Sequence, residues 1–216
     1  LEIGDVRVEA TDSDAIVVAG RISARGRDEA DAEANLDRVR FEMKRDGQTI
    51  RVESDTNAPV GGWQGATPVV ELTVQVPRQT ALALTVDVGD VRVEGTSADA
   101  DIHTEVGRVI VRDVAVVDRL EVQTSVAEIE FDGALVEGAD YAFHSAVGAI
   151  SLRLPGESSY GLDARSGLGA VDVDFDVDGP SPMLALGRTV RGTVNGGAGA
   201  TVTAESDVGA VFVHRR

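Results

Sequence analysis

The chain has no cysteine, a single lysine and only eight aromatic residues among 216. Without cysteine it forms no disulfides, no thiolate metal sites and no cysteine nucleophile. It carries 20 Lys+Arg against 37 Asp+Glu, a formal charge of −17, and so lacks the basic surface that binding to phosphate backbones requires. No apolar run approaches the roughly 20 residues of a membrane-spanning helix. We therefore expect neither a nucleic-acid partner nor a membrane span in this chain.

The charged residues themselves have an unusual composition. Aspartate occurs 22 times, glutamate 15 times and arginine 19 times, whereas Lys44 is the single lysine. An acidic surface that is poor in lysine is typical of proteins adapted to high salt, where screening reduces self-repulsion. A genome that favours arginine, alanine, valine and glycine codons is the alternative explanation. The hydrophobic content of 43% is ordinary for a folded domain.

A pattern of about 20 residues recurs from residue 82 onwards. Each copy has Val or Leu before a small residue, and Val or Ile two residues after it. The small residues are Gly89, Gly107, Ala127, Gly148, Gly169 and Gly209. Their numbers differ by 18, 20, 21, 21 and 40, the last being two periods with a degenerate copy between. A shorter echo, Ile3-Gly4-Asp5-Val6-Arg7-Val8, opens the chain.

The spacing within each copy predicts the fold. Apolar residues alternate with period two on each side of the small residue, as in strands with one buried face. Across the small residue they step by three, which requires a corner or bulge where glycine tolerates unusual dihedral angles. Units of this size bury their inner faces only by stacking. We expect one all-β domain over 1–216, a β-solenoid or β-helix-like stack of roughly 20-residue rungs, with a β-sandwich as the alternative.

Two rows of side chains are expected from this stacking. Two residues after the small residue, the row comprises Val91, Val109, Ile129, Ile150, Val171 and Val211. Three residues before it, the row comprises Val86, Thr104, Thr124, Ser145, Ser166 and Ser206. We interpret the second row as an internal ladder of hydroxyl groups that bond neighbours or backbone, and not as catalytic serines.

The first 80 residues follow a different pattern. Residues 28–37 are acidic at their start and predict one short α-helix. Phe41–Met43 and Ile50–Val52 flank Asp46-Gly47, a strong hairpin signal. Val70 to Val76 alternates as a strand and ends at Pro77. We expect residues 1–80 to cap the N-terminal end of the rungs in 81–216.

With these patterns in place, the sequence resembles the putative-adhesin family (domain of unknown function 4097). The resemblance is carried by the recurring Val-Gly-x-Val/Ile rungs, the strand–helix–hairpin lead-in and the closing stretch Val190-Arg191-Gly192-Thr193-Val194-Asn195-Gly196-Gly197. It covers nearly the whole chain and implies a repetitive β fold with an adhesive role. It implies no catalytic residues. Ala127 departs from the family pattern, and aspartate follows glycine only in the early copies.

Catalytic and metal chemistry have few candidates. Asp172, Asp174, Asp176 and Asp178 alternate with apolar residues, which predicts one solvated strand face or a weak cation site. A calcium loop that begins at Asp174 would need a glutamate where Ala185 stands. The three histidines are expected at outward positions of different rungs. We expect no cofactor and no enzymatic activity; Glu128 and Glu130 near Arg92 and Arg108 are the nearest approach to a glycan-active site.

Two aromatic residues are candidates for partner binding. Trp63 lies in a glycine-rich loop, where it either packs on the cap or contacts a ligand. Phe212 occupies an outward position of the last rung, Val208 to Val213, which we expect at an edge of the stack. Self-association through this C-terminal rung is therefore predicted. The alternative is that residues 180–200 fold back over the edge.

The sequence thus favours a non-enzymatic structural or adhesive module. We expect it at the cell surface through an anchor outside this chain, with a protein or a cell-surface glycan as partner. A glycan-active enzyme on a β-helix and an intracellular assembly scaffold are the alternatives.

Overall fold

The computed structural model describes residues 4–56, 68–179, 183–184, 187–197 and 199–216. In these residues one helix, α1 (Glu29–Leu36), accompanies many strands, so the all-β prediction is confirmed. The first strands are β1 (Val6–Thr11), β2 (Val17–Ser23), β3 (Val39–Asp46), β4 (Thr49–Thr56), β5 (Val69–Pro77), β6 (Leu82–Val88), β7 (Val91–Glu94), β8 (Ala100–Val106), β9 (Val109–Arg112) and β10 (Arg119–Val126). The later ones are β11 (Ile129–Asp132), β12 (Asp140–Val147), β13 (Ile150–Leu154), β14 (Tyr160–Leu168), β15 (Val171–Val173), β16 (Met183–Leu184), β17 (Gly187–Val194), β18 (Ala200–Val208) and β19 (Val211–Arg215).

Two large sheets contain most of these strands. One has the order β15-β19-β13-β11-β9-β7-β1-β5-β2, and the other has the order β16-β17-β14-β18-β12-β10-β8-β6. From β6 to β15 consecutive strands alternate between the two sheets, and β18 and β19 do so again. We call each such pair, joined at the small residue, a rung, and we call the joint its corner. The rungs are β6–β7, β8–β9, β10–β11, β12–β13, β14–β15 and β18–β19.

The strands of neighbouring rungs are parallel and in register. Val91 pairs with Val109, Val109 with Ile129, and Ile129 with Ile150. All of them are fully buried in one core, together with the aromatic residues Phe131, Tyr141 and Phe143. The first four residues of the predicted inward row therefore lie next to one another in the expected order.

The order of the last two rungs differs from the expectation. Ile150 pairs with Val211, and Val211 pairs with Val171. The C-terminal rung β18–β19 therefore lies between β12–β13 and β14–β15. The prediction that the last rung of the sequence forms an edge of the stack is wrong.

The degenerate copy provides the physical reason. It forms β17, which pairs antiparallel with β14, Tyr160 opposite Val194 and Ser166 opposite Arg188. This antiparallel pairing occupies the side of β14 that a further parallel rung would need. The rung β14–β15 consequently ends the parallel stack, and β18–β19 pairs on its other side.

The N-terminal residues extend one sheet. β1 pairs in parallel with β7, with Val6 opposite Val91, so the short echo is in register with the rungs. β5 pairs in parallel with β1, and β2 pairs antiparallel with β5. Helix α1 begins after the N-cap Asp28, as predicted, and the predicted hairpin is β3–β4, which turns at Gly47. The division into capping residues 1–80 and rungs 81–216 stays a prediction.

Candidate functional site

The corners bring neighbouring rungs very close together. Gly148 has φ +156°, and a Cβ placed on it would lie 1.8 Å from the carbonyl oxygen of Ala127 in the adjacent rung. Gly209 has the same φ, and its Cβ would lie 2.1 Å from the oxygen of Gly148. Only glycine fits such an approach. Ala127 occupies the equivalent position without a positive φ.

Backbone hydrogen bonds continue through the corners from rung to rung. The N–H of Gly89 donates to the oxygen of Val106, and that of Gly148 donates to the oxygen of Val208. The residues two positions after the corner donate in the same way, as Ile150 does to Ala210. The corners are therefore as regular along the stack as the strands are.

Aspartates bond the corners of the first rungs from outside. Asp5 accepts a hydrogen bond from the N–H of Asp90 at 2.9 Å, and Asp90 accepts one from the N–H of Arg108 at 2.9 Å. Each carboxylate thus holds the residue that follows the corner of the next rung. This bonding accounts for the Gly-Asp pairs of the early copies.

Serines bond the corners of the later rungs from inside. Ser145 donates to the carbonyl oxygen of Ala127 at 3.0 Å, Ser206 to that of Gly148 at 2.8 Å, and Ser166 to that of Gly209 at 2.7 Å. The predicted hydroxyl ladder is confirmed for these three residues. The hydroxyl oxygens of Thr104 and Thr124 are also buried, but among the described residues they have no hydrogen-bond partner.

A continuous row of aliphatic side chains is exposed along the same corners. Each rung contributes the residue immediately before its small residue. The row, which we call the corner row, comprises Val88, Val106, Val126, Val147, Val208 and Leu168. Each of these residues is between 43% and 56% exposed. Because strands in a sheet are about 4.8 Å apart, the six side chains follow one another over about 24 Å.

Sequence reasoning missed the corner row. Val88 is two residues after the buried Val86, so strict alternation assigns it to the inner face. The corner turns the chain away before the core can cover it. The sequence did contain a signal, because Val or Leu recurs before every small residue. A turn that faces only solvent does not need an aliphatic residue at the same position in each copy.

The surroundings of the corner row change along the stack. In the first three full rungs the residue after the corner is charged, namely Asp90, Arg108 and Glu128. In the last three it is alanine, namely Ala149, Ala210 and Ala170, each at least partly exposed. These residues lie only two positions from the row, within about 7 Å along the chain. The corner row therefore has a charged half and an alanine half.

The four candidate cation ligands do not share one strand face. Strand β15 ends at Val173, so Asp172 alone lies within it. Asp174 contacts Nδ1 of His214 at 2.7 Å, whereas the backbone of Asp178 bridges to Thr193 of β17. In the part of the chain that the structure describes, no group of three or more His, Asp or Glu residues is arranged to hold a metal ion.

The two aromatic candidates have different outcomes. Phe212 lies in β19, which pairs with β13 on one side and β15 on the other. It is half-buried and stacks on the ring of His214, with centroids 5.8 Å apart. The proposed self-association through an edge strand at Phe212 therefore loses its premise. Trp63 lies outside the described residues.

The outer faces of the sheets carry ion pairs. Glu130 contacts Arg112 at 3.3 Å, and Glu128 contacts Arg108 at 3.3 Å. Hydrogen bonds from Arg92 hold the pKa of Glu94 below its usual range. Burial opposes ionisation of Asp163, but hydrogen bonds from Arg165 and Arg191 outweigh it and lower the pKa. Carboxylates held ionised in this way are poor proton donors at neutral pH.

A shallow polar depression of about 160 Å³ lies on this surface. It is lined by Arg112, Arg153, Glu130, Asp132 and Ser151, among others. The histidines lie apart from one another. His103 is on β8 and His144 is on β12, and β10 lies between these two strands. The histidines occupy different rungs, as predicted.

The comparisons with known proteins identify fold neighbours. No protein-family model matches the sequence, and no curated protein matches it. A putative cell adhesion protein from Clostridium sporogenes is similar in structure, with a TM-score of 0.51 and 12% identity over 100% of this chain and 89% of that chain. A putative adhesin from Bacteroides fragilis has a TM-score of 0.50 and 15% identity over 98% of this chain and 88% of that chain. At these identities the likeness concerns the fold. Among the described residues, no helix has the length and apolar character to cross a membrane.

Proposed function

We propose that the chain is a non-enzymatic adhesive module and that the corner row is its contact surface. The observation that carries this proposal is the row itself, six exposed aliphatic side chains in unbroken register. Contiguous exposed apolar surface is uncommon on monomeric proteins and marks interaction sites. The fold neighbours, described as a putative cell adhesion protein and a putative adhesin, support the same role.

The architecture we propose is a β-solenoid, a member of the putative-adhesin family. Strands that alternate between two sheets, parallel register and corners repeated at each small residue support it. Such a stack presents the same surface position once per rung. A row of identical contacts is the natural product of that repetition, and it suits attachment, where many weak contacts act together.

We further propose display at a cell surface and adaptation to high salt. The charge of −17 supports the second point, because screening shortens the Debye length from about 10 Å at 0.1 M to about 3 Å at 1 M salt. Thermal melts in 0.1 M and 1 M KCl test it. We expect the melting temperature to rise by several degrees, about 2–4 °C for each kcal/mol of added stability. An unchanged or lower melting temperature would refute adaptation to salt.

Adhesion is tested with coated beads under flow. Beads carrying the chain are presented to surfaces coated with the same chain, with cell-surface polysaccharide or with matrix protein. We expect retention on at least one surface. The triple variant Val126→Thr, Val147→Thr and Val208→Thr keeps the β-branched shape but makes the corner row polar, and it should reduce retention.

The matched control is Val117→Thr. Val117 is 59% exposed and lies outside the corner row, between β9 and β10. The control should be retained like the wild type. No retention on any surface, or equal retention of the triple variant, would contradict the proposed function.

A further inference from the structure

We propose that the corner row docks a basic amphipathic helix of a partner protein. The proposal rests on the corner row being the contact surface, and it names the kind of partner. Apolar side chains of the helix cover the row, and lysine or arginine side chains of the helix meet the carboxylates that stand beside it.

Acidic side chains flank the corner row without a compensating base. In three rungs the residue before the row is acidic, namely Asp87, Glu105 and Asp207, and in the other three it is uncharged. Asp90 stands on the other side of the row in the first rung. Among the described residues none of these four carboxylates forms an ion pair. Arg108, the base at these positions, contacts a glutamate of the next rung at 3.3 Å.

The positions of these carboxylates favour a cationic partner. Glu105 and Asp207 are exposed and Asp87 is half-buried, and each is the chain neighbour of a residue of the row. Because adjacent Cα atoms are about 3.8 Å apart, a basic side chain next to an apolar one that covers the row reaches the carboxylate. A second copy of this acidic chain or an acidic polysaccharide would meet the same carboxylates with like charge, which disfavours contact.

The backbone of the corners favours a helix over an added strand. Corner groups bond from rung to rung, as the N–H of Gly107 does to the oxygen of Val126. A strand laid along the row could not use these groups and would leave its own N–H and C=O groups unbonded at the contact. A helix bonds its own backbone and presents apolar side chains at i, i+3, i+4 and i+7 as one stripe. The row of about 24 Å corresponds to about 16 helical residues at 1.5 Å each.

The apolar contact is centred on the alanine half of the row. Val147, Val208 and Leu168 are 47%, 43% and 56% exposed, and the alanines two positions further on allow close approach of another backbone. Three of the four flanking carboxylates belong instead to the first two rungs. The bound helix is therefore expected to carry most of its basic residues at the end that lies over these rungs.

A contact of this size gives a weak complex. Interfaces at the small end of the range belong to transient complexes, so we expect a dissociation constant of about 10 μM to 1 mM in 0.1 M KCl. Binding should weaken in 1 M KCl because salt screens the exposed charges. It should not vanish, since the apolar contact remains.

The probe is a fluorescent peptide of alanine, leucine and lysine, about 16 residues long to match the row. Its leucines share one helical stripe and its lysines flank that stripe. One control peptide has glutamate in place of lysine, and the other has the same composition in an order that disperses the leucines around the helix. Fluorescence anisotropy should show both controls binding at least about tenfold more weakly than the probe.

Matched charge variants locate the site. The combined variant Asp87→Asn, Glu105→Gln and Asp207→Asn should weaken binding of the probe about fivefold to tenfold in 0.1 M KCl, and much less in 1 M KCl. The matched control removes the same number of charges at exposed residues that are not beside the row. Its substitutions are Asp14→Asn, Glu137→Gln and Asp176→Asn. It should bind the probe within about twofold of the wild type.

An apolar variant completes the test. The triple variant Val126→Thr, Val147→Thr and Val208→Thr should weaken binding at both salt concentrations, whereas Val117→Thr should not, and circular dichroism verifies that each variant is folded. The absence of binding up to about 1 mM in 0.1 M KCl, equal binding of the lysine and glutamate peptides, or charge variants that bind alike would overturn the proposal. Bead retention on polysaccharide or matrix protein in that case would leave the proposed function standing with a different partner.

Discussion

Side chains bond different backbone groups of the corners in the first and last rungs of the stack. In the first rungs, carboxylates on the outside accept hydrogen bonds from the backbone, as Asp90 does from Arg108. In the last rungs, hydroxyl groups on the inside donate to the backbone, as Ser206 does to Gly148. Thr104, in the rung that Asp90 bonds, and Thr124, in the next rung, have buried hydroxyl oxygens without partners among the described residues.

This difference determines what the outer surface can be. Bonding from outside requires a charged side chain beside the corner row. In the last rungs the serines bond corner carbonyls from inside, and Ala149, Ala210 and Ala170 occupy the outer position. The apolar surface is therefore broader at the end of the stack where alanines stand in place of the charged residues.

The largest expected effect concerns the close approach that both halves share. In Gly148→Ala the new Cβ would meet the carbonyl oxygen of Ala127 at 1.8 Å in a backbone conformation with positive φ. We expect a loss of about 3 kcal/mol or more in the free energy of unfolding, because strain and a backbone clash combine. Denaturant unfolding measures it.

Gly138→Ala separates the two causes. Gly138 has φ +82°, but a Cβ there meets nothing within 4 Å. This variant should lose only about 1–2 kcal/mol, the cost of the left-handed conformation. Equal losses in the two variants would show that the approach of the rungs contributes nothing.

Next in size is the internal hydroxyl row. Ser206→Ala removes the hydrogen bond to Gly148 and should cost about 1 kcal/mol, since a partly buried carbonyl loses a donor. Thr104→Val removes an oxygen that has no described partner and keeps the shape, so it should be neutral or stabilising by up to about 1 kcal/mol. Chemical denaturation of both variants gives the comparison, and a destabilising Thr104→Val would contradict the asymmetry between the halves.

The inward rows were predictable because alternation is a local property. A step of two on each side of the small residue places Val91, Val109 and Ile129 on one face whatever the rest of the chain does. The order of the last rungs was not predictable in this way. The copies around Gly148, Gly169 and Gly209 have the same pattern. The local sequence therefore does not determine which of these rungs pair with each other. The antiparallel pairing of β17 with β14 decides between them, and it depends on distant residues.

The corner row could not be predicted from the sequence for a related reason. The corner row has the parity of buried residues, and its exposure arises only because the chain turns at the next residue. Phe212, in contrast, was predicted to be accessible at an edge, but β19 has neighbours on both sides. Sequence patterns assign faces well, whereas exposure at corners and edges depends on which elements end up adjacent.

A smaller effect tests the outer aspartates. Asp90→Ala removes the acceptor for the N–H of Arg108 and should cost about 1 kcal/mol. The control Asp87→Ala removes one negative charge from the same rung and should be nearly neutral. Ala149→Asp places a carboxylate at the equivalent position of a later rung, where it should stabilise by at most about 1 kcal/mol if outside bonding is transferable. Thermal melts of the three variants rank them, and an Asp90→Ala variant as stable as Asp87→Ala would contradict the role of Asp90.

The smallest effect concerns pH and compares one ion pair from each half. Glu94, beside Arg92, and Asp163, beside Arg165 and Arg191, both have lowered pKa values in the folded chain. A lowered folded pKa means that each carboxylate stabilises the fold above its unfolded pKa, about 4.3 for Glu and 3.9 for Asp. That stabilisation is lost as the pH falls through the folded pKa.

Glu94→Gln and Asp163→Asn should therefore be less stable than the wild type at pH 7, by about 1 kcal/mol or less because both pairs lie near the surface. The difference should diminish as the pH falls through the folded pKa of each carboxylate. Asp163→Asn should have the larger effect, since two arginines bond Asp163 and Arg191 belongs to β17, the strand that ends the stack. Melting temperatures measured from pH 7 to pH 2, with Asp176→Asn as the control for loss of an exposed carboxylate, test this order. A difference between variant and wild type that persists unchanged at pH 2 would assign the effect to packing and not to the ionised carboxylate.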